Sequence, residues 1–197
     1  MGTSFSEPYS NDHDGYLRGQ LLVATPLISG SCFHRSVIYL FGHSEDGAMG
    51  VIINQPLSMV KFGELLDQVE IPHGSITRDI PVHFGGPVDR ARGFVVHTDD
   101  YFGGEVLARS QGLAVSANTE ILRDIAVGNG PRKAILAVGY AGWSAGQLES
   151  EIEANSWITV PATEQLIFTV PEDMKWGLAS QSLGIDMSRL SSTVGHA

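Results

Sequence analysis

Basic residues are scarce in this chain. Its 197 residues include 12 lysines and arginines but 22 aspartates and glutamates, so the formal net charge is −10. Binding to nucleic acid or to anionic lipid depends on clustered lysine and arginine. Here only two pairs of basic residues stand close together, Arg90 with Arg92 and Arg132 with Lys133. We therefore expect neither direct nucleic-acid binding nor adsorption to a membrane.

Long hydrophobic runs and disulfide-forming cysteines are also missing. No apolar stretch approaches the roughly 20 residues that a membrane-spanning helix needs. The N-terminus shows neither the basic segment nor the hydrophobic region of a secretory signal. The single cysteine, Cys32, cannot form a disulfide within the chain and suits a reducing compartment. These features predict a cytoplasmic protein.

What the chain does have is a succession of short apolar runs separated by turn residues. Residues 1–15 are polar and predict a disordered tail, while 16–197 predict a single domain. Strands are predicted at 20–25, 36–43, 48–54, 82–84, 93–97, 105–107, 113–115, 134–140, 157–160 and 166–169. Helices are predicted at 62–69, from 116 or 118 to about 127, after 144, and from 171 to 183. Strands outnumber helices, which favours an α+β fold with a mixed sheet.

The most informative stretch is Gly139–Glu151, which predicts a strand, a glycine turn and then a helix. Within it, Gly142–Gly146 matches the G-x-S-x-G nucleophile elbow of serine hydrolases. A hydrolase of this type needs a histidine after the serine, and the only one is His196, beside the chain end. Ser144 and Gln147 also fit a helix capping box, which is the favoured interpretation. A hydrolase using Ser144 is the alternative.

Two other groups of side chains suggest chemistry, and simpler interpretations are favoured for both. One group stands at predicted strand ends but lacks the spacing of a metal site: His43, His97, Asp99 and Asp100. The other lies on the helix after Ser144 and fits a solvated face better than an acid–base pair: Glu149, Glu151 and Glu153. The sequence therefore predicts neither a metal nor a cofactor.

Several ordered motifs resemble the YqgE/AlgH family of bacterial proteins. They are Gln20–Pro26, Phe33–Tyr39, Gly47–Asn54, Gly85–Val88, Arg92–His97, Gly139–Trp143, Gly146–Ile152 and Asn155-x-Trp157. The chain departs from the family pattern at Gly42 and in the loop at Gly30–Cys32, so the resemblance implies no role for Cys32. It does imply an α+β fold with a bifurcated mixed sheet rolled into a pseudo-barrel and flanked by helices.

The resemblance implies no activity, because the biochemistry of the family is unassigned, although some members are labelled transcriptional regulators. No complete set of nucleophile, base and acid is visible in the chain. We therefore expect a non-enzymatic binding or regulatory module that affects transcription only indirectly, through a protein or small-molecule partner. The expected binding surface comprises Asn54, Arg92, His97, Trp143, Gln147 and Glu151.

Overall fold

The strands form one curled sheet that makes a half-barrel. The computed structural model describes residues 16–74, 78–182 and 184. Its strands are β1 (Gln20–Ala24), β2 (Val37–Ser44), β3 (Gly47–Ile52), β4 (Val82–Phe84), β5 (Val88–Thr98), β6 (Ala108–Ser110), β7 (Leu113–Ser116), β8 (Ala134–Ser144) and β9 (Trp157–Pro161). Their order across the sheet is β6-β7-β5-β8-β3-β2-β1-β9, with β4 beside β8 off this path. Only the β4–β8 pair is parallel among the described strands, so the predicted mixed sheet is confirmed.

Helices flank this sheet. They are α1 (Phe62–Gln68), α2 (Thr119–Ala126), α3 (Gln147–Glu153), α4 (Glu172–Gln181) and a π-helical turn (Gln165–Thr169). The inner face of the sheet carries the largest apolar cluster, whose members come from nearly every strand and include Tyr39, Phe41 and Phe94. Two further clusters lie on the outer face. One includes residues of α1 and α2, and the other includes Leu148 of α3. Each helix described is too short or too polar to cross a bilayer.

The sheet forks because β4 is inserted between β3 and β8. Residues 136–138 of β8 pair with β4, whereas residues 141–144 pair with β3. The end of β3 and the chain that follows it stay bonded to the β4 segment: Ile52 N donates to Gly85 O at 2.8 Å, and Phe84 N donates to Gln55 O at 2.9 Å. The bifurcated sheet that the family resemblance implies is therefore present.

Three local predictions were wrong. The run 166–169 forms a π-helical turn, in which Val170 N bonds to Gln165 O at 2.9 Å, because a short apolar run serves a buried helix as well as a strand. No strand forms at 105–107, and β6 begins at Ala108 instead. The strand predicted at 134–140 continues as a paired strand to Ser144, so the glycine turn comes later than residue 140 suggests.

Candidate functional site

Five of the six predicted binding residues belong to hydrogen-bond networks within the protein, and three of them, Trp143, Gln147 and Glu151, share one network. Trp143 and Trp157 donate their indole N–H groups to the same carboxylate oxygen of Glu151, at 2.9 and 2.8 Å. Gln147 donates to the other oxygen at 2.9 Å and accepts from Ser144 N at 3.0 Å. Trp143 is only 7% exposed. This network ties α3 to the ends of β8 and β9 and leaves Trp143 little surface for a partner.

His97 is fully buried and bonded at both ring nitrogens. Its Nδ1 lies 2.8 Å from the Thr98 carbonyl oxygen and its Nε2 lies 3.1 Å from the Ser116 hydroxyl. A carbonyl only accepts, so Nδ1 carries the proton and Nε2 accepts from Ser116. Burial lowers the pKa of His97, and the hydrogen bond to Thr98 opposes this only in part. The ring is therefore a neutral internal link between β5 and β7.

Asn54 fastens the loop between β1 and β2. Its Oδ1 accepts from Val37 N at 2.8 Å and its Nδ2 donates to Arg35 O at 2.9 Å. The next residue, Gln55, donates to Cys32 O at 2.7 Å. Arg35 has a φ of 52°, a left-handed conformation that these bonds help to hold. Cys32 itself is exposed at this loop.

The capping interpretation of Ser144 is half realised. Gln147 accepts from Ser144 N, as in a capping box, but α3 begins at Gln147 with Gly146 as its N-cap. Gly146 has a φ of 71° and makes the turn that the sequence placed earlier. The glutamine is thus the first helical residue instead of the third, because β8 runs two residues beyond Gly142 before the chain turns.

The partners of a hydrolase are not assembled around Ser144 in the described part of the chain. No hydrogen bond there joins its hydroxyl to a histidine. His43, on the neighbouring hairpin, accepts from Leu17 N at 2.9 Å through Nδ1 and donates through Nε2 to Glu149 at 2.7 Å. His196 lies outside the described residues.

The aspartates that the sequence placed beside the strand-end histidines are also engaged elsewhere. Asp99 forms an ion pair with Arg109, and Asp100 accepts from the Thr98 hydroxyl at 2.6 Å. Within the residues described, no three histidine, cysteine or acidic side chains gather as metal ligands would.

Two glycine stretches meet where the chain crosses over β8. Gly85 and Gly86 lead from β4 on one side of β8 to β5 on the other, and Gly85 N donates to Val138 O at 2.8 Å. A Cβ atom on Gly86 would overlap the backbone of Tyr140, and one on Gly139 would overlap the Gly86 carbonyl. The crossing therefore requires glycine on both segments.

The crossing is accompanied by a large bulge in β5. That strand pairs with β8 at Val88 and again from Gly93, so residues 89–92 have only Gly139 opposite them. Asp89 has a φ of 43° and Gly139 a φ of 76°, which are the left-handed conformations that such a bulge needs. Residues 89–92 consequently project from the sheet.

We call residues 88–92 the β5 arm, and all of them are exposed. Its two arginines each lie over an aromatic ring: the guanidinium carbon of Arg90 is 5.3 Å from the centroid of Phe84, and that of Arg92 is 5.2 Å from Phe94. Neither arginine forms an ion pair with a carboxylate among the described residues. Cation–π contact leaves guanidinium N–H groups available for an anionic partner.

One backbone edge of the arm is also open. Strand β7 pairs with β5 only from Val95 to Thr98, and β8 lies along the opposite edge. Residues 88–94 therefore lack a strand partner on the β7 side within the described structure. An unpaired strand edge presents N–H and C=O groups that another extended chain can pair with.

A second polar cluster, which was not predicted from the sequence, fixes α4 to the fork. Lys175 is 1% exposed, and its ammonium donates to Ile53 O at 3.0 Å and Ile167 O at 2.8 Å. It also forms an ion pair with Glu172, whose carboxylate lies 2.9 Å from Nε2 of the buried His83. Glu172 and Lys175 have the i, i+3 spacing of a helix pair, but no spacing rule connects them with His83, which lies 89 residues before Glu172.

The pKa values in this cluster show how strongly its charges depend on each other. Burial lowers the pKa of Lys175, and the Glu172 carboxylate only partly offsets that effect. Burial alone would raise the pKa of Glu172, but the hydrogen bonds from His83 and Lys175 outweigh it and hold the pKa below its usual value. His83 and Lys175 are buried, so their contacts with Glu172 hold α4 against the sheet.

The half-barrel with its forked sheet and flanking helices defines the class of protein. The chain belongs to the AlgH-like family, whose profile matches residues 21–188. Two relatives named UPF0301 protein are each 48% identical to it. The one from Methylocella silvestris aligns over 193 residues and 94% of both chains, and the one from Jannaschia sp. over 187 residues, 94% of this chain and 96% of its own.

Two solved structures share the fold. The solution structure of the AlgH protein from Pseudomonas aeruginosa matches with a TM-score of 0.76 at 35% identity, over 96% of this chain and 100% of that one. A crystal structure of a Corynebacterium diphtheriae protein matches with a TM-score of 0.71 over the same shares, and at 20% identity it supports the fold alone. These names state no activity, so the function is argued from the site of this chain.

Proposed function

We propose that the protein is a non-enzymatic binding module whose β5 arm holds a protein partner, and that any effect on transcription is indirect. The observation that carries this proposal is the arm itself. The chain crosses over β8 at glycines that no other residue could replace, and the bulge that follows makes Arg90 and Arg92 project from the sheet. In the described structure neither arginine has an acidic partner.

The missing partners are notable because acids outnumber bases in this chain by 22 to 12. Arg109 and Arg132, in contrast, pair with Asp99 and Glu164. Exposed arginines without internal partners are a common feature of binding hot spots, since the guanidinium forms bidentate bonds to carboxylates. The arm thus carries a local positive charge on an acidic protein.

The arm is also held in place before any partner arrives. Its ends are paired with β8, and its arginines lie on the rings of Phe84 and Phe94. A preorganised surface loses less conformational entropy on binding than a flexible loop. The networks around Glu151, His97 and Asn54 are consistent with binding at the arm, because those three residues already have a structural role in holding strands, loop and helix together.

Affinity capture from cells of the organism that encodes the protein tests the proposal. Wild type is compared with the double variant Arg90→Ala/Arg92→Ala and with the matched control Arg123→Ala, which removes an exposed arginine from α2. Circular dichroism establishes that all three are folded. We expect one or more soluble proteins to be captured by wild type and the control but lost with the double variant.

Equal capture by all three proteins would remove the arm from consideration. The alternative, a hydrolase using Ser144, makes a different prediction. A fluorophosphonate probe would then label wild type and fail to label Ser144→Ala, and this labelling would contradict the non-enzymatic proposal.

A further inference from the structure

We infer that the protein has a second binding site, a pocket that takes a free α-amino acid with an apolar side chain. The pocket has a volume of about 390 Å³ and is lined by residues of two segments, 56–62 and 79–82. None of these residues belongs to the β5 arm. The inference is carried by the apolar walls of the pocket and by two opposite charges among its lining residues.

The walls of the pocket are apolar and held in place. Phe62, Ile80 and Val82 are at most 5% exposed and belong to the outer-face cluster that includes residues of α1 and α2. Leu57 and Val60 are partly buried and pack against this cluster. A hydrogen bond from Leu57 N to Val82 O at 2.8 Å joins the two lining segments. The pocket is therefore formed before a ligand arrives, and its volume is near the lower end of the range for small-molecule pockets, roughly 300–1,000 Å³.

Two side chains of opposite charge also line the pocket. They are Lys61 and Asp79, both exposed, and neither forms an ion pair with another described residue. One carboxylate oxygen of Asp79 accepts from Ile80 N at 3.0 Å, which orients the group. Within one small pocket, the Lys61 ammonium is thus available to a carboxylate and the Asp79 carboxylate to an ammonium group.

This pair of charges selects the class of ligand. An apolar acid would be attracted by Lys61 but repelled by Asp79, and an apolar amine would be attracted by Asp79 but repelled by Lys61. A zwitterion without a side chain would satisfy both charges and leave the apolar walls uncovered. An α-amino acid with an aliphatic side chain satisfies the charges and covers the walls. Because it has no net charge, it is not repelled by a protein of net charge −10.

Titration of the full-length, ¹⁵N-labelled protein with L-leucine, followed by NMR, tests the inference. Three comparison ligands each lack one part of leucine: isoamylamine lacks the carboxylate, isocaproic acid lacks the ammonium group, and glycine lacks the side chain. Lys61→Gln and Asp79→Asn each remove one charge from the pocket, and asparagine keeps an oxygen that accepts from Ile80 N. Arg123→Gln and Glu153→Gln are matched controls, because they remove exposed charges from α2 and α3.

We expect leucine to shift the resonances of residues 56–62 and 79–82. It should bind about fivefold more tightly than isoamylamine or isocaproic acid, the difference that one exposed ion pair supplies at most. Lys61→Gln should weaken the binding of leucine but not that of the amine, and Asp79→Asn should weaken the binding of leucine but not that of the acid. Glycine should bind more weakly than leucine, and both control variants should bind leucine as wild type does.

Equal binding of leucine, the amine and the acid would overturn the inference, because the two charges would then play no part. Equal binding of glycine and leucine would overturn it as well, since the apolar walls would not be used. The same holds if leucine leaves the resonances of both lining segments unchanged. None of these results would affect the proposed function, which depends on Arg90 and Arg92, and loss of arm-dependent capture would leave the pocket standing.

Discussion

Gly86 and Gly139 pass each other so closely that neither position has room for a Cβ atom. The two residues belong to segments that are far apart in the chain, and their contact fixes the point at which the backbone crosses from one side of β8 to the other. The β5 arm begins immediately after this crossing. The glycines of the family signature are therefore explained by the backbone of the protein before any ligand is considered.

The first prediction concerns this crossing. Gly139→Ala adds a Cβ atom where the Gly86 carbonyl already lies, at a φ of 76° that alanine disfavours. We expect a loss of about 3 kcal/mol or more in the free energy of unfolding, measured by urea denaturation. Gly146→Ala is a matched control, because its φ is 71° but nothing lies within 4 Å of the added atom. Gly146→Ala should lower the free energy of unfolding by only about 1 kcal/mol. If both variants lost the same amount of stability, the crossing would not be tight.

The second prediction concerns the carboxylate between the two indoles. Glu151→Ala leaves the N–H groups of Trp143 and Trp157 without their acceptor in a largely buried site. We expect a loss of about 2–4 kcal/mol and a changed tryptophan emission spectrum. Glu153→Ala, at an exposed position of the same helix, should change stability by less than about 0.5 kcal/mol. A small effect at Glu151 would mean that water replaces the carboxylate.

The third prediction concerns the dependence of stability on pH. Burial lowers the pKa of His97 from its ordinary value of 6.5, so below that pH the unfolded chain takes up a proton that the folded chain does not. The contribution of His97 to stability is therefore complete above pH 6.5 and falls as the pH drops towards the folded-state pKa. The free energy of unfolding, measured by urea denaturation at several pH values between about 5 and 8, should change less with pH for His97→Gln than for wild type. An unchanged slope in the His97 variant would contradict this assignment.

The fourth prediction concerns the attachment of α4. Lys175→Met removes the donor shared by Ile53 O, Ile167 O and Glu172, so buried acceptors lose their partner. We expect a loss of about 3–5 kcal/mol and faster hydrogen exchange in residues 172–181 than in β8. Adding Glu172→Gln to this variant should cost less than the same change in wild type, because the carboxylate has already lost its ammonium partner and keeps only its contact with His83. Full additivity would show that the two side chains act independently.

The sequence predicted much of the sheet because buried strands appear as apolar runs bounded by turn residues. The Val37–Ser44 and Gly47–Ile52 hairpin and the helix capped by Asn118 are examples, since both depend on neighbouring residues alone. The crossing depends instead on residues that meet only after folding, so Gly86 and Gly139 gave no local signal of each other. The sequence drew attention to Arg90 and Arg92 as a basic pair, but their exposure follows from the bulge. The contact between His83 and Glu172 likewise had no signature in the spacing of residues.

The central claim is that the β5 arm contacts a polypeptide partner, and site-specific photo-crosslinking tests it most directly. A photoreactive phenylalanine analogue replaces Ala91, between the two arginines, or Ala154, which is exposed at the end of α3. After irradiation of living cells, the account predicts an adduct with a polypeptide at Ala91 and none of this adduct at Ala154. Adding Arg90→Ala and Arg92→Ala to the Ala91 protein should remove the adduct. An adduct that forms equally from both positions, or that survives the loss of both arginines, would contradict the claim.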